Sequence, residues 1–342
     1  MNMTGLVKYA GPLVALAMCS ACGGGSPVAP SNAALSFQYV GRTLSVNGRL
    51  VTAARPPNPV PRLATIVPER HGDKHFEYIF SDYETYASIF DYPKSTKQIG
   101  TIYGDGGQGC TNVLYGYGQK TFWNIGGDTQ ITEYKVPQTP IKTLSDSIGA
   151  PSSCAMNARG DLAVGILYNN SGPGGGDIII FKHARGSGTA YTTPLDEEFF
   201  DGYDPQGNLF ADGFTGDRSG FELIELPKGS NKFQTITTSN VVQFPGSVQW
   251  DGKYLTVVDQ GTNAVYQYNV SGTQATLKGT VTLSGAGDCA QTWIVRGLIY
   301  CADNYNTDGE VFKYPAGGSA IAVFTGNFVF PLGVTVAERP RH

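Results

Sequence analysis

Charge is scarce in this chain of 342 residues. Charged side chains make up 15% of it, against roughly 25% in an average soluble domain. The formal net charge is −4, so there is no basic footprint for nucleic acid and no such partner is expected. Histidine is rarer still, with four in the chain. His71 and His75 flank a glycine, Gly72, ahead of a strand, and His183 stands by itself in a loop. No Gly-x-Ser-x-Gly elbow and no His-Glu-x-x-His pair occurs, so a histidine-dependent mechanism has little to work with. No Cys-x-x-Cys pair survives beyond the leader, which removes the usual zinc spacing. No segment keeps apolar residues at helical spacing, so α and α/β folds are disfavoured. Beyond the N-terminus, no apolar run approaches the length of a bilayer span.

What the chain does have is glycine (45) and tyrosine (19), a composition that suits strands joined by tight turns. A unit runs from Val257 to Pro315 and is repeated elsewhere. Lys253–Asp259 is an apolar run, Asn263–Tyr268 follows a turn, and Leu277–Leu283 closes the unit. Gly297–Asp303, Gly309–Pro315 and Ala320–Phe324 do the same. The end of the third strand recurs at Tyr92, Tyr134, Phe181, Leu226, Tyr268 and Tyr314, at spacings of 42 to 47 residues. That is the period of four-stranded propeller blades. Turns ahead of the second strand end in Gly160, Gly207, Gly252 and Gly297, where a positive φ is needed.

An innermost strand precedes each turn, at Cys110–Leu114, Ser153–Met156, Phe199–Tyr203, Gly246–Gln249 and Cys289–Trp293. The first unit lacks one. Pro331–Val336 supplies it from the far end, so ring closure depends on Leu332, Val334 and Val336. The expected fold is therefore all-β: a six-bladed β-propeller whose C-terminal strand completes the first blade, over residues 69–342.

These residues resemble the six-bladed propellers of the NHL and YncE-like group. The resemblance rests on the Gly-x-Leu-Tyr-Val-Ala-Asp type of strand, a turn, and a Val-Tyr-x-Tyr-Pro strand. It covers about Asp73 to Ala337 and implies an architecture rather than an activity.

The N-terminus reads as a targeting segment. One lysine, a short apolar core (Leu13–Met18) and small residues make a signal peptide over 1–22. The cysteines beside it resemble those of a bacterial lipoprotein signal, which implies acylation of one thiol. Ala21 and the glycines after it favour Cys22, and Leu16 favours Cys19. Simple secretion with both cysteines removed is the alternative. Absence of Asp after the cysteine points, in such lipoproteins, to the outer membrane. Residues 23–68 read as a Pro/Gly-rich tether, with a stray strand within Leu35–Val51.

Four cysteines remain. Export makes disulfides permissible, and two pairs are expected, Cys110 with Cys154 and Cys289 with Cys301. Four buried free thiols would be the plainer alternative. Gly104–Gly109 fits G-x-G-x-x-G, but a strand follows instead of a helix, so it reads as an inter-blade turn.

Topology assigns most acidic residues to one end of the ring, among them Asp82, Glu84, Asp105, Asp128, Glu197 and Asp217. Lys94, Lys142, Arg159, Lys253 and Arg296 fall at the other. The acidic mouth suits a cation or a basic partner. Asp at strand ends also makes local hydrogen bonds, which explains Asp259 and Asp303 without a ligand. Glu198, Asp201 and Asp288 lie outside the repeat and are the candidate metal ligands. The expected job is a non-catalytic, lipid-anchored binding or scaffold module outside the cytoplasm. It would be a monomer with a protein or glycan ligand, no resident cofactor, and a lipid as its one contact with the membrane. The alternative is a Ca2+-dependent hydrolase or lactonase, as the resemblance to related six-bladed enzymes implies. Those enzymes set Glu, Asn and Asp around a central Ca2+, and no clear Asn set is present here.

Overall fold

The computed structural model describes residues 43–46, 49–52, 76–82, 86–103, 107–111, 121–125, 130–136, 138–145, 148–169, 175–215, 220–326 and 328–338. The leader with Cys19 and Cys22, most of the tether, His71, His75, Glu84, Asp105, Asp128 and Asp217 lie outside the described residues. Within the expected tether, strands β1 (Thr43–Val46) and β2 (Arg49–Thr52) form an antiparallel hairpin.

The remaining strands form successive antiparallel meanders. The first sheet holds β3 (Phe76–Asp82), β4 (Tyr86–Tyr92) and β5 (Gln98–Tyr103). The second holds β6 (Gln108–Cys110), β7 (Thr121–Ile125), β8 (Gln130–Lys135) and β9 (Thr139–Ser145). The third holds β10 (Gly149–Met156), β11 (Leu162–Asn169), β12 (Asp177–Phe181) and β13 (Thr189–Thr192). The fourth holds β14 (Glu197–Tyr203), β15 (Leu209–Thr215), β16 (Gly220–Leu226) and β17 (Gln234–Thr238). The fifth holds β18 (Val248–Trp250), β19 (Leu255–Asp259), β20 (Ala264–Ser271) and β21 (Gln274–Ser284). The sixth holds β22 (Cys289–Val295), β23 (Leu298–Asp303), β24 (Asp308–Lys313) and β25 (Gly317–Phe324). The last strand, β26 (Pro331–Glu338), returns to pair antiparallel with β3 and gives the first sheet its fourth strand. Two short parallel bridges, β17 to β21 and β21 to β25, tie the outer edges of the last three sheets together.

Sequence explains the turns. Asn157 Oδ1 accepts the N–H groups of Arg159 and Asp161. Asp204 Oδ1 does this for Gly207 and Asn208, and Asp251 Oδ1 for Lys253 and Tyr254. Each is an Asx turn that replaces a ladder bond with a side-chain one. Gly160, Gly207, Gly252 and Gly297 follow with φ of 81°, 90°, 105° and 76°, where a Cβ would be strained.

The inner strands begin and end differently from the sequence reading. Cys110 closes β6 instead of opening it, and β18 starts at Val248 instead of Gly246. Glycines at both places are closely surrounded. A Cβ on Gly109 would lie 3.1 Å from the Thr335 side chain, and one on Gly246 would lie 2.7 Å from the Val258 carbonyl.

The core lies between the sheets. Of the six repeated third-strand residues, Tyr92, Tyr134, Phe181, Leu226 and Tyr268 are buried and Tyr314 is half-buried. Phe90 and Tyr92 of the first sheet meet Phe324 of the sixth at centroid distances of 4.9 and 5.4 Å, in the tilted geometry that aromatic quadrupoles favour. Leu332, Val334 and Val336 of β26 are buried at the same seam.

Candidate functional site

The first strand of each sheet faces the centre of the molecule, and its side chains decide what the centre can do. Most of their polar groups bind the next sheet's backbone. Ser247 Oγ accepts the Thr292 N–H and donates to the Thr292 carbonyl. Gln249 makes the same double bond to Ile294. Gln291 reaches two strands: its Oε1 accepts the N–H groups of Gly109 and Val334, and its Nε2 donates to the Gly109 carbonyl. These bonds satisfy buried amides at the seams between sheets.

A group of carboxylates breaks this pattern on the fourth sheet. Residues three apart on a regular strand face opposite sides. In β14 the register shifts between Glu198 and Phe200, leaving Phe199 without a partner on β15. This bulge brings Glu198 and Asp201 to the same side, a re-aiming that bulges commonly perform. Glu198 is fully buried between the third and fourth sheets. Its Oε2 accepts the Ser152 hydroxyl at 2.8 Å and its Oε1 the Ser153 hydroxyl at 2.9 Å. Space for it exists because residue 165 is glycine: a Cβ there would lie 1.8 Å from Oε2. Burial pushes the Glu198 carboxyl up to about 8, against the pull of the two serine hydroxyls.

Asp201 is 6% exposed, and the Ser153 hydroxyl and its own backbone N–H lie on its carboxylate side. The nearby Ser153 hydroxyl is donated to Glu198. Burial first, then the Glu198 charge, holds the Asp201 carboxyl well above the ordinary range. Asp212 on β15 is also fully buried and accepts the Gly246 N–H at 3.1 Å. Its carboxyl too is raised, by burial and by Glu198, against backbone N–H groups of Gly246 and Phe200.

A small cavity lies beside Asp201, lined by the inner strands of the third to sixth sheets and by Thr111 just after β6. Met156, Tyr203 and Trp250 line it at the C-terminal ends of their strands, and Trp293 two residues before the end of β22. Asp201 lies two residues inward, and Thr292 lines the cavity with a hydroxyl that has no partner.

The predicted sites separate in the structure. Glu198 and Asp201 adjoin, but they sit on a buried strand and not on the mouth loops. Asp288 belongs to the sixth sheet's entry loop, where its N–H donates to Asp303. Glu198, Asp201 and Asp288 do not form one cluster of ligand oxygens within 4.8 Å among the described residues. Both oxygens of Glu198 are already taken by serines. The three residues therefore do not fit a Ca2+ ion, which takes six to eight oxygens. Another group does lie within 4.8 Å: Cys289, Cys301, Asp303 and Glu310. Its sulfurs are joined in a disulfide, and Asp303 accepts the N–H groups of Gly287, Asp288, Tyr305 and Asn306. Asp259 similarly takes those of Phe244 and Gly261. At these repeat positions the aspartates tie strand ends to entry loops.

Both expected disulfides are present, Cys110–Cys154 and Cys289–Cys301, with Cα separations of 5.7 and 5.4 Å. Cys301 pairs in register with Thr292, and the irregularity between Cys289 and Thr292 brings the sulfurs together. Disulfides of this kind fit an oxidising compartment outside the cytoplasm. Among the described residues, no helix is long and apolar enough to cross a membrane. Gly107–Gly109, the described half of the glycine-rich stretch, leads into β6 and not into a helix. His183 lies exposed in a short 3-10 turn, its N–H bound to Asp161.

Sequence reasoning missed Asp212, which lies inside β15 and not at a strand end as Asp259 and Asp303 do. It also missed the residues at the cavity mouth, and their spacing was the available signal: Met156, Tyr203 and Trp250 recur at 47-residue intervals.

No protein-family profile matches the sequence, and no curated protein matches it. Solved structures do match. A chain from the crystal structure of a nidogen/laminin complex is 15% identical with a TM-score of 0.59, covering 77% of this chain and 98% of that chain. A protein of unknown function from Bacteroides caccae is 10% identical with a TM-score of 0.58, covering 78% of this chain and 99% of that chain. A functionally unknown protein from Desulfotomaculum acetoxidans is 9% identical with a TM-score of 0.51, covering 77% of this chain and 98% of that chain. Together with the strand pairing, these place the chain among all-β folds of the propeller type.

Proposed function

We propose that the protein is an exported, lipid-anchored β-propeller that serves as a non-catalytic binding or scaffold module for a protein or glycan. The observation that carries this reading is the use of the inner-strand polar groups. Ser247, Gln249 and Gln291 are committed to backbone of neighbouring strands, so the centre works as a rigid hub more than as a reaction chamber. Function then falls to surface loops, where propeller-type folds carry it. In the NHL-like reading each sheet is one blade of six, and Cys22, with Cys19 as the alternative, carries the lipid. The disulfides agree with that location.

The test has two arms. The full-length chain is expressed in a bacterial host with labelled palmitate, beside Cys22→Ala and Cys19→Ala variants. Label and membrane association are expected to disappear with one of the two substitutions; retention in both variants would overturn the anchor. The purified domain is then melted with 1 mM-scale Ca2+ and with chelator, and assayed on ester and lactone substrates. A ligand at a hundred times its Kd raises stability by about 2.7 kcal/mol. Neither a Ca2+-dependent shift nor turnover is expected. A shift of that size with Ca2+-dependent turnover would establish the hydrolase alternative instead.

A further inference from the structure

The exposed charges of this chain are sorted between two ends of the molecule. Neighbouring first strands run in one direction. Gly333 and Thr335 of β26 lie against Gly107 and Gly109, and Ser247 and Gln249 bind Thr292 and Ile294. Met156, Tyr203 and Trp250, each at the end of its strand, line one cavity. The turns between first and second strands therefore gather at one end, and in a meander the turns between third and fourth strands join them. Each of the six sheets carries an exposed Lys or Arg there: Lys94, Lys135, Arg159, Lys228, Lys253 and Lys313. Among the described residues, Lys94 is the one of these six with a carboxylate at ion-pair distance, Asp91 at 3.8 Å.

The aspartates of the same turns are used up locally. Asp204 and Asp251 hold turn N–H groups, and Asp161 accepts the Asn157 amide and the His183 N–H. All three are buried or half-buried, so it is the cations that meet solvent. The opposite end has the reverse sign. Asp196, Asp288 and Asp308 lie there, and among the described residues no Lys or Arg does. A small anion needs donors that converge on one point, whereas these cations are spread over six sheets. An extended plane of negative charge meets them all. The chain also enters at this end, since β3 begins at Phe76, opposite Glu338 where β26 ends. The segment leading back to Cys22 thus joins the domain on its basic side.

We propose that this end docks on a bilayer surface of anionic phospholipid headgroups. The proposal rests on the exported, lipid-anchored reading for its place beside a membrane. The anchor keeps the domain near the bilayer, and the basic end decides which way it faces. Each Lys or Arg close to an anionic surface strengthens binding about fivefold, within a Debye length of about 8 Å at 0.15 M salt. The acidic end is then turned away from the membrane.

The experiment uses the full-length chain with Cys19→Ala and Cys22→Ala, so that no acyl chain contributes. It is floated with phosphatidylcholine vesicles, with and without about one-third phosphatidylglycerol. The same chain carrying Lys228→Gln, Lys253→Gln and Lys313→Gln is compared with one carrying Arg at those three positions. Folding is checked by far-UV circular dichroism. Binding to the anionic vesicles alone is expected, with loss at 1 M salt, where the Debye length is about 3 Å. The three glutamines weaken it about a hundredfold, and the three arginines leave it unchanged. No flotation of the folded chain with anionic vesicles would overturn the proposal. So would equal flotation with neutral vesicles, which the apolar leader alone explains. Capture by alginate, an acidic polysaccharide, without vesicle binding would overturn it in favour of an anionic glycan. The salt series needs no lysine substitution, so the test stays decisive should the glutamine variant fold poorly. Vesicle binding is read without the anchor, so its failure leaves the palmitate result standing.

Discussion

Glu198 shows how much one residue can govern when it is buried without a counter-charge. Its carboxyl is ordinarily near 4.5 and is raised to about 8 in the fold, mainly by burial. Below the ordinary value both folded and unfolded chains are protonated, and the residue costs nothing. As pH rises from about 4.5 to about 8, the unfolded chain releases a proton that the folded chain retains. Stability falls through that window. Glu198→Gln removes the titration and keeps a side chain of the same shape between Ser152 and Ser153. The expected result is a flatter Tm profile between pH 5 and pH 8 than the wild type shows. Parallel profiles would mean that Glu198 titrates normally in the fold. At this scale the sequence was half legible. Glu198 and Asp201 stood out because they break the repeat, but their surroundings did not. The bulge at Phe199 and the room made by Gly165 depend on β10 and β11, which pack against them from elsewhere in the chain.

At the scale of the element, the two disulfides act on different parts of the fold. Cys110–Cys154 joins inner strands of the second and third sheets across a separation of 44 residues. Cys289–Cys301 staples two strands of one sheet across 12. Loop-closure entropy in the unfolded chain predicts about 4 kcal/mol for the longer loop and about 3 kcal/mol for the shorter. Cys110→Ser with Cys154→Ser is therefore expected to lower urea resistance more than Cys289→Ser with Cys301→Ser, in non-reducing buffer. The reverse order would show that native-state geometry, and not the unfolded chain, sets the contribution. These pairings were legible because export, an even cysteine count and the blade period all pointed the same way. Strand limits were less so. Cys110 ends its strand where the sequence reading had one begin.

At the scale of the whole molecule, the last strand completes the first sheet. β26 pairs with β3 along its length and carries three buried aliphatic residues into the seam. Gln291 binds both Gly109 of the second sheet and Val334 of β26. A chain ending at Phe324 loses this strand and exposes β3 as an edge, which invites aggregation. Such a truncation is expected to lose the single cooperative melt. Val334→Ala, a milder change, is expected to cost about 2 kcal/mol through lost burial and a residual cavity. An unaltered melt for the truncated chain would show that the other five sheets stand without closure.

The sequence by itself determined the features that rest on neighbouring residues. The repeat of 42 to 47 residues, the Asx turns, the glycines at positive φ and the alternation of each strand all follow from local hydrogen bonding and sterics. It also marked β26 as the missing first-sheet strand, since no other apolar segment was left to fill that place. Tertiary structure decided the rest. Whether a carboxylate faces a loop, a serine pair or an empty cavity depends on side chains that approach from distant positions, such as Gln291 and Gly109, 182 residues apart. Asp303 and Asp201 are the same residue type on the same kind of sheet. Asp303 accepts the backbone N–H groups of Gly287, Asp288, Tyr305 and Asn306, whereas burial and the Glu198 charge dominate around Asp201. Only the packing of one sheet against the next supplies those donors, and no local pattern encodes it.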